Sequence, residues 1–175
     1  MRYVVIGTSG AGKTTFARDL AARLAVPRIE LDALYWGPEW MPRPTPEFIA
    51  SLTAAIAPGR WVADGNYTIV RDVLWRRATH IVWLDFGRAV VFPRVLTRTL
   101  RRAIRRETLW ADNRESLRRA FLSRQSILLW SLTTFAKNRA KFSRLRADPA
   151  YAHLEWHHLR TPRAARDFLR TPPRP

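Results

Sequence analysis

Apolar positions along this chain switch repeatedly between short continuous runs and helical stripes, the pattern of alternating strands and helices. The run Tyr3-Val4-Val5-Ile6 is β-branched and aromatic, as a strand buried on both faces should be. Behind it Phe16, Ala17, Leu20, Ala21 and Leu24 recur at helical spacing. Val26-Pro27 ends that helix and leads to a second strand, Arg28-Ile29-Glu30-Leu31, closing at Asp32, so the first third of the chain reads as a β-α-β unit. A segment rich in proline and tryptophan follows. Then comes a helix with Thr45 as N-cap, Pro46 in its first turn, and Phe48, Ile49, Leu52, Ala55 and Ile56 on its buried stripe. Trp61-Val62-Ala63 and His80-Ile81-Val82-Trp83-Leu84 give strands three and four, running into Asp64-Gly65 and Asp85. A long helix from Arg88 carries Phe92, Val95, Leu96, Thr99 and Ala103 on its apolar side, with Pro93 marking either a kink or its true start. The stretch from Glu107 to Arg114 interrupts the pattern. Beyond it lie a helix with Leu117, Phe121, Ile127, Leu128 and Phe135, a fifth strand over 154–159, and a last helix opened by Thr161-Pro162 and burying Phe168 and Leu169.

The turn between the first strand and the first helix carries the clearest chemistry. Gly7-Thr8-Ser9-Gly10-Ala11-Gly12-Lys13-Thr14 spells Gly-x-x-x-x-Gly-Lys-Thr in the strand–loop–helix context that this phosphate-binding loop requires. Its glycines let the backbone turn so that N–H groups point inward at an anion, and the positive end of the helix dipole faces the same place. In this reading Gly7, Ser9, Gly10, Ala11 and Gly12 form the nucleotide cradle. Lys13 reaches the β- and γ-phosphates, Thr14 offers its hydroxyl to Mg²⁺, and Thr15 bonds a further phosphate oxygen. ATP and Mg²⁺ are the expected cofactors; nothing in the loop separates ATP from GTP.

Three strands each end in a carboxylate, Asp32, Asp64 and Asp85, at the edge where open parallel sheets bind ligands. Asp32 and Asp64 also read as a turn residue and a strand-end cap. Tyr35, Trp36 and Trp40 can stack on an acceptor and Asn66 and Tyr67 can bond it, although core packing explains the aromatics equally. His153, His157 and His158, on or near the fifth strand, show no partner pattern that suggests a metal.

With 175 residues the chain has room for one domain, 1–175, and its 31 Lys plus Arg against 14 Asp plus Glu give a net charge of +17. The excess is mostly arginine, and it fits either an anionic partner, nucleic acid included, or a solvated surface. Arg94, Arg98, Arg101 and Arg105 recur at intervals that place them on one helix face, with Arg102 and Arg106 alongside. Like charges at that spacing repel until an anion comes between them. The longest apolar stretch, from Ser126 to Ala136, is about half of a membrane span and no signal peptide is visible, so a cytoplasmic protein is expected, while the lack of cysteine removes disulfides and thiolate chemistry without fixing a compartment. Monomer and dimer are both compatible with the sequence.

The P-loop, Leu31-Asp32-Ala33-Leu34-Tyr35-Trp36, Asp64-Gly65-Asn66-Tyr67, Leu84-Asp85-Phe86 and Leu109-Trp110-Ala111-Asp112-Asn113-Arg114-Glu115 together resemble the bacterial topology modulation proteins, a branch of the adenylate-kinase-like P-loop kinases. The resemblance covers nearly the whole chain. It implies an α/β P-loop NTPase fold of three layers with a five-stranded parallel sheet, an acceptor-binding segment at about 32–60, and a helical, arginine-rich lid at about 101–125. It also implies that Arg94 and Arg98 are lid-base arginines, that Arg101, Arg105 and Arg114 belong to the lid, and that Asp64 acts near Mg²⁺ through water. Adenylate kinases follow Asp-Gly with an arginine for the acceptor phosphate, whereas this chain continues Asn66-Tyr67-Thr68 and reaches an arginine only at Arg71. Related small-molecule kinases place a carboxylate against the acceptor hydroxyl where Asp32 stands, and a hydroxyl gains from such a base. A phosphotransferase acting on a small, hydroxylated acceptor is therefore expected, with a nucleotide-dependent regulatory or nucleic-acid-binding ATPase as the alternative. Arginines turned toward the P-loop favour the first; an outward arginine surface favours the second.

Overall fold

Strands β1 (Arg2–Gly7), β2 (Arg28–Glu30), β3 (Trp61–Asp64), β4 (His80–Leu84) and β5 (Glu155–Leu159) form one parallel sheet in the order β2-β3-β1-β4-β5. The computed structural model describes residues 1–105, 111 and 127–173, with the side chains of helical residues 102–105 and 127–134 outside that description. Helices among the described residues are α1 (Lys13–Leu24), α2 (Leu31–Tyr35), α3 (Thr45–Ala55), α4 (Arg71–Arg77), α5 (Arg88–Arg105), α6 (Ile127–Arg146) and α7 (Pro162–Arg170). The lid expected at about 101–125, with Arg114, lies mostly outside the described residues, as does the side chain of Arg105.

Alternation along the strands sets the two layers of core. Val4 and Ile6 face one side with Ile29, Trp61, Ala63, Ile81 and Trp83, where α3, α4 and α6 supply Phe48, Leu52, Leu74 and Phe142. Tyr3 and Val5 face the other with Val62, Val82 and Leu84, covered by Phe16 and Leu20 of α1, Val91 and Val95 of α5, and Ala165 of α7. Both faces of the central strands are therefore dry, which explains why β1, β3 and β4 read as continuous apolar runs. The three-layer arrangement expected from the sequence is present.

Local boundaries differ in three places. Leu31 leaves the strand and opens α2, because Gly65 has no side chain: a Cβ there would stand 2.7 Å from Leu31 Cβ, so the glycine makes room for the turn. Pro44, fixed at φ −51, takes the cap position of α3 and Thr45 is its first helical residue. Phe92, expected on the buried stripe of α5, is 37% exposed, because Val91, Val95 and Thr99 form the inward row instead. Pro93 lies inside α5, which runs through it. Thr161 caps α7 as expected, its hydroxyl accepting from Ala164 N at 3.1 Å.

Candidate active site

The parallel sheet gathers its chemistry at one edge. β1 ends at Gly7, the loop turns over 8–12, and α1 begins at Lys13 with Gly12 as its left-handed N-cap at φ 90. Gly10, at φ +80, fits where no other residue would: a Cβ would lie 2.3 Å from Val95 Cγ2 and 2.9 Å from Val91 O. The loop thus rests directly on α5. On its other side Asn66 grips the peptide units of Gly7, Nδ2 donating to Gly7 O at 2.5 Å and Oδ1 accepting from Gly7 N at 3.4 Å. The amide of Asn66, expected to bond an acceptor, is engaged with the loop backbone.

Lys13 Nζ donates to Thr8 O at 3.2 Å, folding the side chain along the inside of the loop. Burial lowers its pKa, opposed by Asp32 and Asp64 and reinforced by Arg98, so all three charges bear on this one ammonium group. Thr14 Oγ1 donates to Asp64 Oδ2 at 2.8 Å. Asp64 is buried and its pKa is raised to about 6, chiefly by burial and against the Thr14 hydrogen bond. Its Oδ1, and Thr8 Oγ1 beside the loop, are buried with no hydrogen-bond partner among the described residues. A hydroxyl and a carboxylate with an unused lone pair are a donor set that suits Mg²⁺ and its water, so the residues present fit that ion. Thr15 is exposed on the first turn of α1.

Asp32 stands in the first turn of α2 and accepts from Tyr67 Oη at 2.5 Å. The Trp36 indole N–H bonds the same phenol, so Trp36, Tyr67 and Asp32 form a chain of hydrogen bonds that orients the carboxylate. The phenol is held protonated, its pKa raised by burial and by Asp32. Trp36 also meets Tyr35 and Trp40 edge to face, so two of the three candidate stacking rings are packed against it. A cavity beside Tyr67 is lined by Ile6, Gly65, Asn66, Arg71 and Trp75, which brings Arg71, late in the sequence segment, to the acceptor side.

The arginine face divides. Arg94 Nη1 donates to Ala11 O at 3.4 Å with its guanidinium 5.5 Å from the Phe86 ring centroid, and Arg98 Nη2 donates to Ser9 Oγ at 3.3 Å. Both side chains turn to the loop. Arg101 is exposed one turn further on.

The sequence pattern missed a second polar group on the β4–β5 side of the loop. Asp85 Oδ2 meets His158 Nε2 at 2.8 Å and Arg139 Nε of α6 at 3.1 Å, and the crevice there is lined by Thr8, Phe135, Asn138 and Phe142. His158 stacks on Trp83 with ring centroids 4.1 Å apart and planes within 5° of parallel. Among this many arginines only position in the fold singles out Arg139.

No family model matches the chain, and no curated protein sequence matches it. Among solved structures it is similar to a gluconokinase from Sinorhizobium meliloti 1021, with TM-score 0.53 and 19% identity over 97% of this chain and 91% of that one. It is also similar to a shikimate kinase from Bacteroides thetaiotaomicron, with TM-score 0.55 and 15% identity over 97% and 94%. The chain shares its five-stranded α/β fold with these two kinases. The finer resemblance to topology modulation proteins has no support from family or sequence comparison, and the likeness places the chain by fold. No helix among the described residues is long and apolar enough to cross a membrane.

Proposed function

We propose that this protein is a Mg²⁺-dependent P-loop kinase that moves the γ-phosphoryl group of ATP to a small, hydroxylated acceptor. The observation that carries the reading is that Asp32, Asp64 and Arg98 all act on the Lys13 ammonium group, at the N-terminus of α1 where the helix dipole favours an anion. A cation for the phosphates, a carboxylate on the metal side and a carboxylate on the acceptor side are the parts that phosphoryl transfer needs. Mg²⁺, when bound at Thr14 and through water at Asp64, supplies charge neutralisation of the phosphates.

The chain's own residues do the rest. Asp32, oriented by Tyr67, accepts the acceptor hydroxyl's proton as that oxygen bonds to the γ-phosphorus and the bond to the β-bridging oxygen breaks. Lys13, Arg94 and Arg98 balance the charge that spreads over the phosphoryl oxygens. Arg71 lines a small crevice beside Tyr67, and a cation there suits an acceptor with an anionic group beside its hydroxyl. Two proteins that share the fold are named as kinases of gluconate and shikimate, which agrees with a small-molecule acceptor. Arg94 and Arg98 bend toward the loop, which favours this reading over a nucleic-acid-binding ATPase.

The test is a screen of nucleosides, nucleotides and small hydroxyl metabolites for acceptor-stimulated ADP release with ATP and Mg²⁺. Stimulation by a hydroxylated metabolite, with a phosphorylated product seen by mass spectrometry, supports the proposal. Turnover stimulated by DNA or RNA alone, falling steeply with salt, overturns it.

A further inference from the structure

At the end of the sheet away from the P-loop, three ligand-type side chains from two strands meet. Glu155 and His157 are two residues apart on β5 and so share a face, and the β4–β5 register sets His80 directly beside Glu155. His80 Nδ1 lies 3.3 Å from Glu155 Oε2 and 3.3 Å from His157 Nε2, and His157 Nε2 lies 3.5 Å from Glu155 Oε1. These atoms are set wider than the usual hydrogen bond of about 2.9 Å. A tetrahedral ion with bonds of about 2.0–2.1 Å holds its ligand atoms about 3.3 Å apart, which is the spacing found.

We propose that His80, His157 and Glu155 form a binding site for a divalent transition-metal ion of the zinc class, clamping the edge strand β5 to β4. The donor set, two imidazoles and one carboxylate, is one that zinc favours over Mg²⁺ or Ca²⁺, and it leaves a fourth position for water. The rings are fixed in advance. Tyr3 of β1 stacks on His80 at 4.4 Å and 16°, and Phe168 of α7 packs against His157 at 4.9 Å. Both imidazoles are mostly buried while Glu155 is 59% exposed, so the ion has a route from solvent past the carboxylate. The site lies about 13 Å from the P-loop along β1, counting from Tyr3 beside His80 to Gly7, and is independent of phosphotransfer.

Calorimetric titration of the full chain with ZnCl₂ tests the proposal, together with Co²⁺ absorption as a report of coordination geometry. One equivalent of Zn²⁺ should bind with a rise in thermal unfolding temperature, and Co²⁺ should give the intense visible bands of a four-coordinate site. His157→Ala and His80→Ala should abolish both, and Glu155→Gln should weaken binding by at least about tenfold; His153→Gln should bind as the parent does. Glu155 is exposed, so its variant remains decisive if a histidine variant fails to fold. Absence of one-equivalent binding, or Zn²⁺ affinity unchanged in Glu155→Gln, overturns the proposal and leaves a hydrogen-bonded histidine pair only.

Discussion

Thr14 and Asp64 are bonded to each other, hydroxyl to carboxylate at 2.8 Å, across the gap between the first turn of α1 and the end of β3. Asp64 is thereby kept in place by one hydrogen bond while burial works against its charge, lifting its pKa from 3.8 to about 6. A carboxyl group whose folded pKa is raised gives stability that is fully present below its unfolded value, and that stability is lost as pH rises through the folded value. In metal-free protein the ionised group therefore costs stability above about pH 6. Asp64→Asn, which keeps an acceptor for Thr14, should be more stable than the parent by about 1–3 kcal/mol at pH 8 in chelator, and by little near pH 4. Urea unfolding at the two pH values measures this, and the same variant should lose Mg²⁺-dependent nucleotide affinity.

Lys13→Ala removes a half-buried cation whose charge Asp32 and Asp64 favour. Turnover should fall by on the order of 10²–10³-fold or more while the fold persists. Circular dichroism and single-turnover kinetics separate the two effects.

Asp32 and Tyr67 should divide by kinetic signature. Asp32→Asn should slow phosphoryl transfer by roughly 10²–10⁴-fold and leave ATP affinity unchanged. Tyr67→Phe deletes the bond that orients the carboxylate, along with the one the phenol accepts from Trp36, and should cost about tenfold. Loss of ATP affinity in the Asp32 variant would count against its acceptor-side role.

Gly10→Ala should damage stability and nucleotide binding together. The added methyl meets Val95 Cγ2 at 2.3 Å on a left-handed backbone, a combination worth at least about 2 kcal/mol. Val95→Ala should recover part of that loss, because it removes the nearer obstacle and leaves Val91 O at 2.9 Å. A double-mutant cycle in thermal unfolding measures the recovery.

The β1–loop–α1 unit was legible because a local motif, a strand run and a helical stripe agreed within a short stretch of chain. The five strands were legible for the same reason, since both faces of the inner ones are dry. What stayed hidden depends on contacts across the sheet. Asp32 and Tyr67 meet only because β2 lies beside β3, and His80 and His157 meet only because β4 and β5 pair in one register. Periodicity along α5 fixed its amphipathic character but not its rotation, which Gly10 sets by admitting Val91 and Val95, so Phe92 turns outward. Arg139 could not be told from its many neighbours until Asp85 singled it out.

The phosphate loop is braced at both shoulders, by the Asn66 amide at Gly7 and by the valines of α5 under Gly10. A bowl moulded before its guest arrives loses little freedom on filling, so the polyphosphate tail should be welcomed with a modest entropic toll whichever nucleobase it carries. Discrimination among bases then has to reside elsewhere in the molecule, and reshaping the bowl would change how tightly every nucleotide is held without changing which one is preferred.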